Sequence, residues 1–564
     1  MRLCKWLLVS LTLVAVCGAA FAHASPYRFE GAERVVAFGD VHGAYDELVA
    51  LLRGVGVLDS DGRWQGGRTH LVSTGDLIHR GDNDRQVLEL LMRLEREAAA
   101  AGGAVHVLLG NHEVMTLSGD LRYVSEGSYA SFGGRDARRA AFAPDGDFGS
   151  WLLQKPFAVV VKDTLFTHGG VSRLLEGLSL DEMNEQARAD LVRVVSALHA
   201  LHAAGESGGD GFGAVRASAD PTVQAALRGL PYHPGGMLWY RGSSLCHPYT
   251  EGRVAAAVLE QVGARRVAVG HTVTPGRSIT SRLDGRVYRM DTGMNTRAYG
   301  GRPTALVIDA NGVSAYDLER GSVPVDAEPN RVWDRPHGLS DAEIESFLRD
   351  GEIVQVEELG EGVTRPLRLT LTHGGRTLRA LYKSEDTNPE MGRGRWSRQA
   401  ENADRFVYDY TAYRLDRIIG LEMVPVSVLR ELDGKPGVVT VWLEGAFNEN
   451  RRQERQLEFD GHCELSPQYD LMNVFDILVH NVDRNLGNIM YDADWQVWLI
   501  DHSRAFKTAR GVPAALARDS IVVTPEMADA LALVTPASLQ ELDPYLHPRQ
   551  IQALLSRARE LRRR

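Results

Sequence analysis

Polar side chains suited to metal binding recur in short glycine-containing motifs between residues 39 and 272. In chain order the motifs are Gly39-Asp40-Val41-His42-Gly43, Gly75-Asp76-Leu77-Ile78-His79-Arg80-Gly81, Gly110-Asn111-His112-Glu113, Thr167-His168-Gly169-Gly170 and Gly270-His271-Thr272. They offer carboxylate, amide and imidazole donors, and no thiolate is among them. This donor set favours borderline transition ions such as manganese, iron or zinc over a structural thiolate zinc site.

Six of these side chains suffice for two ions that share one carboxylate. We assign one ion to Asp40, His42 and Asp76, and the other to Asp76, Asn111, His168 and His271. Two ions about 3.5–4 Å apart can hold an activated hydroxide and grip both ends of an in-line displacement, as phosphoester hydrolysis requires. His112 would then protonate the leaving alkoxide, and Arg80 and Arg241 would clamp phosphate oxygens through bidentate contacts.

The elements that must position these motifs are predicted by an α/β alternation from residue 34 to about residue 317. Buried strands are predicted over 35–38, 70–74, 105–109, 158–161, 165–167, 266–269 and 304–308. Apolar residues between 87 and 94 follow a helical spacing. Because ligands bind at the carboxyl ends of strands in open α/β sheets, the motifs are expected to meet there. A helix-rich insert over about 172–235 is expected to cap this edge.

The order of the motifs over about residues 34–309 resembles that of the calcineurin-like metallophosphoesterases. Leu238-Trp239-Tyr240-Arg241-Gly242 narrows the resemblance to the phosphoprotein-phosphatase branch, especially its bacterial, Shewanella-like members. The resemblance implies a β-sandwich flanked by helices, with this first domain over residues 25–318. It also implies two ions, a metal-activated hydroxide and phosphomonoester substrates, either phosphorylated proteins or small molecules.

One position departs from that family. An aspartate usually precedes the arginine of the second motif and orients the general-acid histidine, but His79 stands there in this chain. The orientation or pKa of His112 is therefore open, with Asp82 or Asp84 as substitutes. A degenerate site would make the chain a non-catalytic receptor for phosphorylated ligands. Dinucleoside-polyphosphate hydrolases share two of the motifs, which makes that activity a further alternative.

A second group of chemically suited residues lies near the C-terminus. Asp483 and Asn488 are spaced like the base and the metal-binding asparagine of a kinase catalytic loop, and Asp501 follows a predicted strand as a second metal ligand. Residues 348–506 thus resemble the atypical kinase superfamily of lipid kinases and secretory-pathway protein kinases. The H-R-D, D-F-G and A-P-E motifs of typical kinases are absent. A pseudokinase that binds or regulates is the alternative.

The same resemblance assigns a nucleotide site for ATP and magnesium upstream. Gly360 and Gly362 would form the turn over the phosphates, and Lys383 at a strand end would contact them. Asp409 on the next helix is the predicted partner of Lys383, with Glu401 as second choice. A two-lobed kinase-like domain is expected over 340–564, after a proline-containing linker over 319–339.

Composition limits the class of protein and its partners. The 564 residues are 44% hydrophobic and 24% charged, which is typical of globular domains. Sixty-three basic and 74 acidic residues give a net charge of −11, so no nucleic-acid partner is expected. Four cysteines exclude a disulfide scaffold, and Cys246 and Cys463, in different predicted domains, are expected to be free thiols.

The first 24 residues have the layout of an export signal. Arg2 and Lys5 precede an uncharged run over 6–22, and Ala22-His23-Ala24 offers a cleavage site. The mature protein is therefore expected to be periplasmic or secreted, without stable membrane insertion. The alternative is an uncleaved membrane anchor, because the run is just long enough for a short span.

Overall fold

The structure is a computed structural model that describes residues 25–206, 211–328, 336–360, 366–387, 403–517 and 521–564. The predicted export signal (1–24), Gly362 and Glu401 lie outside these residues. The predicted α/β class is confirmed, and the two predicted regions each contain their own sheets and apolar core. No helix within the described residues is long and apolar enough to cross a membrane.

Thirteen strands of the first region form two sheets. In chain order they are β1 Arg28–Phe29, β2 Arg34–Phe38, β3 Thr69–Ser73, β4 Ala104–Val107, β5 Ala158–Val161, β6 Thr164–Thr167, β7 Arg266–Val269, β8 Thr280–Arg282, β9 Val287–Arg289, β10 Thr304–Asp309, β11 Gly312–Asp317, β12 Gly321–Pro324 and β13 Asp326–Ala327. One sheet has the order β1-β5-β6-β7-β9-β8-β13, and the other β12-β11-β10-β2-β3-β4. The predicted strands agree with these bounds to within two residues.

The apolar run of β2 shows why the two sheets pack as a sandwich. Val35 and Ala37 enter a core shared with residues of the other sheet, such as Phe166, while Val36 and Phe38 enter the core under the helices. A strand buried on both faces carries a continuous apolar run rather than alternation. The sandwich with helices outside is therefore encoded directly in such strands.

Helices cover the outer faces and build the predicted insert. They are α1 Tyr45–Gly54, α2 Asp84–Ala100, α3 Asn111–Leu117, α4 Glu126–Phe132, α5 Arg135–Ala141, α6 Asp147–Leu152, α7 Leu180–Ala203, α8 Gly211–Arg216, α9 Pro221–Ala226, α10 Gly242–Leu245, α11 Pro248–Gln261 and α12 Thr296–Tyr299. The insert comprises α7 to α9. Ser179 and Glu182 close a capping box at the start of α7, which fixes where this long helix begins.

The second region has two lobes. Its elements are α13 Asp341–Asp350, β14 Glu352–Glu358, β15 Leu367–His373, β16 Arg376–Lys383, α14 Phe406–Ile418, β17 Ser427–Leu432, β18 Lys435–Val441, β19 Phe447–Asn448, α15 Glu449–Glu454, α16 Leu465–Val479, β20 Ile489–Tyr491, β21 Val497–Leu499, α17 Pro525–Ala532 and α18 Pro548–Leu561. A five-stranded sheet, β14-β15-β16-β18-β17, packs with α13 and α14. The other lobe holds the three-stranded sheet β19-β20-β21 with α16 and α18.

The predicted linker over 319–339 begins too early. β12 pairs with β11, and β13 pairs with β8, so both strands belong to the sheets of the first region. Each lies at the edge of its sheet, where a strand tolerates a proline such as Pro324. Pro324 therefore lies in an edge strand of the first region and does not indicate that this region has ended.

The two regions are in contact through α11. His247 Nε2 donates to the Leu421 carbonyl at 2.9 Å, and the Tyr249 hydroxyl donates to the Ile419 carbonyl. Thr524 donates to the Tyr249 carbonyl at 2.9 Å, just before α17, which packs against α11. The second region thus has a defined docking face on the first.

The expectation of free thiols is wrong, because Cys246 and Cys463 form a disulfide across this contact. Their Cα atoms are 5.3 Å apart although 217 residues separate them in sequence. Docking of the regions brings the two cysteines together, and sequence distance carries no information about that docking. The bond joins the end of α10 to the segment before α16.

Replacing both cysteines with serine is expected to lower the thermal unfolding midpoint. The bond restricts the unfolded chain, and losing it costs about 2–4 kcal/mol of stability. Non-reducing peptide mapping of the unmodified chain should recover the linked peptides that contain Cys246 and Cys463. Recovery of both as separate thiol peptides, with an unchanged midpoint in the double variant, would contradict the pairing.

Candidate metal centre

All five motifs follow strand ends at one edge of the sandwich. β2, β3 and β4 run parallel, and their motifs begin directly after them; β6 and β7 are likewise parallel and precede the other two. Parallel strands end at the same edge, so their side chains converge there. The centre therefore takes ligands from both sheets.

Asp76 lies in the middle of this edge. Its Oδ1 is 3.3 Å from His168 Nε2, and its Oδ2 is 3.8 Å from both His42 Nε2 and His112 Nε2. Asp76, His42 and His112 form one group with donor atoms within 4.8 Å of one another, and Asp76, His168 and His271 form a second. One carboxylate is thus shared by two groups of ligands.

The remaining predicted ligands complete the same centre. Asp40 Oδ2 is 4.0 Å from His42 Nε2, and both Asp40 oxygens accept the His271 backbone N–H at 3.1 Å. Asn111 Oδ1 is 2.8 Å from His168 Nε2. All six side chains assigned to metal are buried and lie together.

The imidazole orientations fit cations. His168 Nδ1 lies 2.9 Å from the Thr74 carbonyl and His42 Nδ1 lies 3.2 Å from the Ile78 carbonyl, so each donates its proton outward to the backbone. The Nε2 lone pairs then face oxygens that are themselves acceptors. His271 Nε2 is buried without a hydrogen-bond partner among the described residues. A positive ion between these groups satisfies every one of them.

The charges of the buried carboxylates also favour cations in the centre. Burial raises the pKa of Asp40, and repulsion from Asp291 and Asp76 raises it further. Burial opposes ionisation of Asp76 too, but His168 and His112 hold its pKa well below the usual range. Asp291, which the sequence analysis missed, is buried and hydrogen-bonded to Asp40. Its position just after β9, before a Thr-Gly pair, repeats the strand-then-ligand pattern of the five motifs.

Glu113 is a second residue whose role the sequence analysis missed, although it is part of a quoted motif. Its carboxylate accepts the backbone N–H groups of Asp76 at 2.8 Å, Leu77 at 2.9 Å and Gly110 at 2.8 Å. Three donors on one buried carboxylate join the second motif to the third. Glu113 therefore positions Asp76.

The backbone of the site is unusual as well. Five non-glycine residues have φ between 49° and 76°, namely His42, Asp76, His79, Arg80 and His271. Such conformations are uncommon and persist where the surroundings enforce them. Two positions require glycine because the carboxylate ligands lie against the backbone there. A Cβ on Gly110 would lie 2.3 Å from Asp76 Oδ1, and a Cβ on Gly270 would lie 2.3 Å from Asp40 Oδ1.

His79 itself contacts the predicted general acid. Its Nδ1 is 2.8 Å from His112 Nδ1, and its Nε2 is 2.6 Å from the Thr116 hydroxyl. Burial lowers the pKa of His79 well below its usual value and that of His112 to about 4. His79 thus fixes the His112 ring so that Nε2 faces Asp76.

The substitutes considered for the family aspartate are excluded by their positions. Asp84 accepts the His79 backbone N–H at 3.0 Å through Oδ1, while its Oδ2 accepts from Ser128 and pairs with Arg138. Asp82 accepts from Ser125 at 2.8 Å. Asp84 therefore positions the backbone of His79, and neither carboxylate is hydrogen-bonded to the general acid.

The two predicted phosphate clamps differ in how they are held. Arg241 donates to the His271 carbonyl at 2.7 Å and to the Thr272 hydroxyl at 3.1 Å, so it is fixed beside a ligand. Arg80 is exposed, and its guanidinium lies 4.4 Å from the ring centroid of Tyr123. Arg241 is thus pre-positioned, whereas Arg80 rests on an aromatic face at the mouth of the site.

Several side chains predicted to form the nucleotide site of the second region lie near one another. Lys383 Nζ is 2.8 Å from Asp501 Oδ1 and 3.3 Å from Asp409 Oδ2. Asn488 Nδ2 is 3.5 Å from Asp501 Oδ2. Burial would lower the pKa of Lys383, but the two carboxylates overcome it and raise that pKa.

Two further predictions for this site have different outcomes. Gly360 has a φ of 66° and follows β14, and the end of β14 pairs with Leu367, which pairs with Tyr382 next to Lys383. Asp483 is exposed and pairs with Arg504 at 3.2 Å. The structure thus leaves Asp483 on the surface of the loop.

Arg484 is the residue that the sequence analysis missed in this loop. It pairs with buried Asp476 at 2.8 Å and donates to the carbonyls of Asn488 at 2.9 Å and Ile500 at 2.6 Å. It therefore ties the predicted catalytic loop to the segment that carries Asp501.

Residues 33–275 match the family described as calcineurin-like phosphoesterase. This match agrees with the metallophosphoesterase fold of the first region. The matched residues include the motifs that build the centre around Asp76, whose side chains could hold divalent metal ions.

Three individual proteins are similar to this chain. The chain is 29% identical over 326 residues to Shewanella-like protein phosphatase 2 of Arabidopsis thaliana, covering 50% of this chain and 76% of the relative. It is 28% identical over 293 residues to Shewanella-like protein phosphatase 1 of Plasmodium berghei (strain Anka), covering 50% and 74%. A cold-active protein-tyrosine phosphatase of a psychrophile Shewanella sp. has a solved structure at 27% identity, covering 54% and 83%, with a TM-score of 0.43.

We expect His79→Ala to lower kcat for a phosphomonoester at least about tenfold while metal content stays unchanged, because it removes the contact that orients the general acid. His79→Asp should retain activity. Its carboxylate would stabilise a protonated His112, raise the pKa of that group and move the alkaline limb of the kcat profile to higher pH.

The matched control is His70→Ala, since His70 Nδ1 lies 3.0 Å from His106 Nε2 in a histidine pair outside the site. That variant should leave kcat unchanged. Equal rates and pH profiles for His79→Ala and the unmodified chain would show that His79 does not position His112.

Proposed function

We propose that this protein is an exported, metal-dependent phosphatase that hydrolyses phosphomonoesters, with phosphoproteins as its substrates. The observation that carries the proposal is the sharing of Asp76 between two buried groups of ligands. A dinuclear centre with one bridging carboxylate is the arrangement suited to in-line displacement at phosphorus.

Each side chain has a separate task in this proposal. Asp40, His42 and Asp76 would hold one divalent transition-metal ion, manganese, iron or zinc, and Asp76, Asn111, His168 and His271 the other. Bound ions would polarise the phosphoryl group and lower the pKa of a water molecule.

Other side chains of the protein would bind the phosphate and deliver the proton. Arg241, held beside His271, would bind phosphate oxygens, and Arg80 would reach them from the mouth. His112 would deliver a proton to the leaving oxygen from Nε2, the nitrogen that faces the centre, while His79 holds its other nitrogen.

Separate observations support the proposed substrate class and the proposed cellular compartment. The two relatives named as protein phosphatases favour a phosphorylated protein as substrate. The disulfide between Cys246 and Cys463 supports export, because such bonds persist in oxidising compartments and are rare in the cytosol. The predicted signal at residues 1–24 is consistent with it.

Asp76→Asn should lower kcat/KM for p-nitrophenyl phosphate and for a phosphopeptide by at least about 100-fold with manganese present, because it weakens both ion sites together. Metal analysis of the purified variant should show less than two ions per chain.

Asp82→Asn is the matched control, since this carboxylate belongs to the same loop but lies outside the ligand groups. It should retain both activity and metal. Full activity in Asp76→Asn would refute the site, and two tightly bound ions without turnover in the unmodified chain would identify a phospho-ligand receptor instead.

A second activity is favoured by the contacts of Lys383. A lysine between Asp409 and Asp501, with Asn488 beside Asp501, matches the set that holds nucleotide phosphates and magnesium in kinases. We therefore propose that the second region binds ATP with magnesium. Phosphoryl transfer would further require a base, and Asp483 is the candidate.

Lys383→Ala is expected to weaken ATP–magnesium binding by at least tenfold in calorimetry, because it removes the cation that would meet the phosphates. Lys435→Ala, an exposed lysine on the same sheet, is the control and should bind like the unmodified chain. Equal affinities in all three proteins would place nucleotide binding elsewhere or exclude it.

A further inference from the structure

A cleft of about 640 Å³ lies between the two regions, and one predicted metal ligand, His271, lines it. Arg241, His271 and Trp239 line it from the first region, and Phe459 and His462 line it from the second. A volume of this size is typical of small-ligand sites. The second region thus supplies part of the surface that surrounds the candidate phosphatase centre.

The second region lines the cleft with residues between 459 and 468, and we name the first part of this stretch, residues 459–464, the wall segment. Gln468 is buried and donates to the Cys463 carbonyl at 2.9 Å and to the Trp495 carbonyl at 3.1 Å. Gly461 packs so closely on Trp495 that a Cβ there would lie 2.7 Å from the tryptophan Cβ. The wall segment is therefore fixed to its own domain.

The wall segment is also bonded covalently to the phosphatase domain. Cys463 is joined to Cys246, the residue that follows α10, and Arg241 is the residue that precedes this helix. Arg282 donates to the Cys246 carbonyl at 2.7 Å, which holds that end in place. The disulfide thus fixes the wall segment one short helix away from the predicted phosphate clamp.

The side chains that face the cleft are suited to an apolar or aromatic group. Phe459 is 43% exposed and rests edge-on against Trp495, with ring centroids 5.5 Å apart. His462 is exposed and close enough to Arg241 to feel its charge. On the other side Trp239 stands edge-on to His271 at 5.9 Å. Exposed aromatic surface in a built cleft favours ligand contact.

We propose that the wall segment is the leaving-group subsite of the phosphatase centre, with Phe459 and His462 as specificity-determining residues supplied by the second region. This inference rests on the proposed phosphatase function. The cleft begins beside Arg241 and His271, so the ester group of a phosphate bound there can extend along the cleft toward the wall segment. Substrates with a compact apolar or aromatic leaving group gain contacts there.

The test uses the full chain with manganese and two probes, p-nitrophenyl phosphate as substrate and inorganic phosphate as competitive inhibitor. The Phe459→Ala/His462→Ala double variant should raise KM for p-nitrophenyl phosphate about three- to tenfold. Its kcat and the inhibition constant for inorganic phosphate should stay within about twofold, because phosphate alone does not reach the wall segment.

The matched control is Leu533→Ala/His373→Ala, which removes an exposed leucine and an exposed histidine of the second region that do not line the cleft. It should leave all three constants unchanged. Reduction of the disulfide in the unmodified chain needs no substitution and should raise KM in the same way, because it frees the wall segment from α10.

An unchanged KM in the double variant and after reduction would overturn the inference. Equal loss of p-nitrophenyl phosphate and inorganic phosphate binding would overturn it as well, since that pattern means distortion of the metal centre. In either case turnover by the unmodified chain leaves the proposed phosphatase function standing. Absence of turnover and metal in the unmodified chain would instead refute the function itself.

Discussion

The first domain is organised around the burial of one carboxylate among imidazoles and other carboxylates. Removing charged groups from water is costly unless opposite charge compensates them, and Asp76 is compensated by His168, His112 and His42. Asp40 and Asp291 add further negative charge within the same buried space. Buried negative charge at this density favours cations, so electrostatics favours metal binding as much as ligand identity does.

The surrounding chain keeps that concentration of charge in a fixed geometry. Glu113 holds the Asp76 backbone, and glycines stand where a side chain would meet the carboxylate oxygens. Left-handed backbone at ligand positions is tolerated because strands on both sides fix the chain. The sandwich provides this rigidity because parallel strands of both sheets end at the same edge.

The sequence was informative wherever local spacing determined position. Strands with continuous apolar runs, and motifs placed directly after them, were enough to predict the fold class and to bring six ligands together. It was uninformative where position depended on packing between distant segments. Asp291 reaches the centre because β9 pairs with β7, and His79 takes the orienting role because its ring contacts both His112 and Thr116. The strands inside the predicted linker were too short to give a pattern.

The disulfide has a consequence for assembly. Cys246 follows a helix of the first domain, and Cys463 belongs to a loop held in place by the second, so the sulfur atoms meet only after both units have folded and docked. Oxidation of this pair during biosynthesis would therefore occur only in correctly docked chains and would prevent later separation of the two units. A chain cleaved between them would still remain a single covalent molecule.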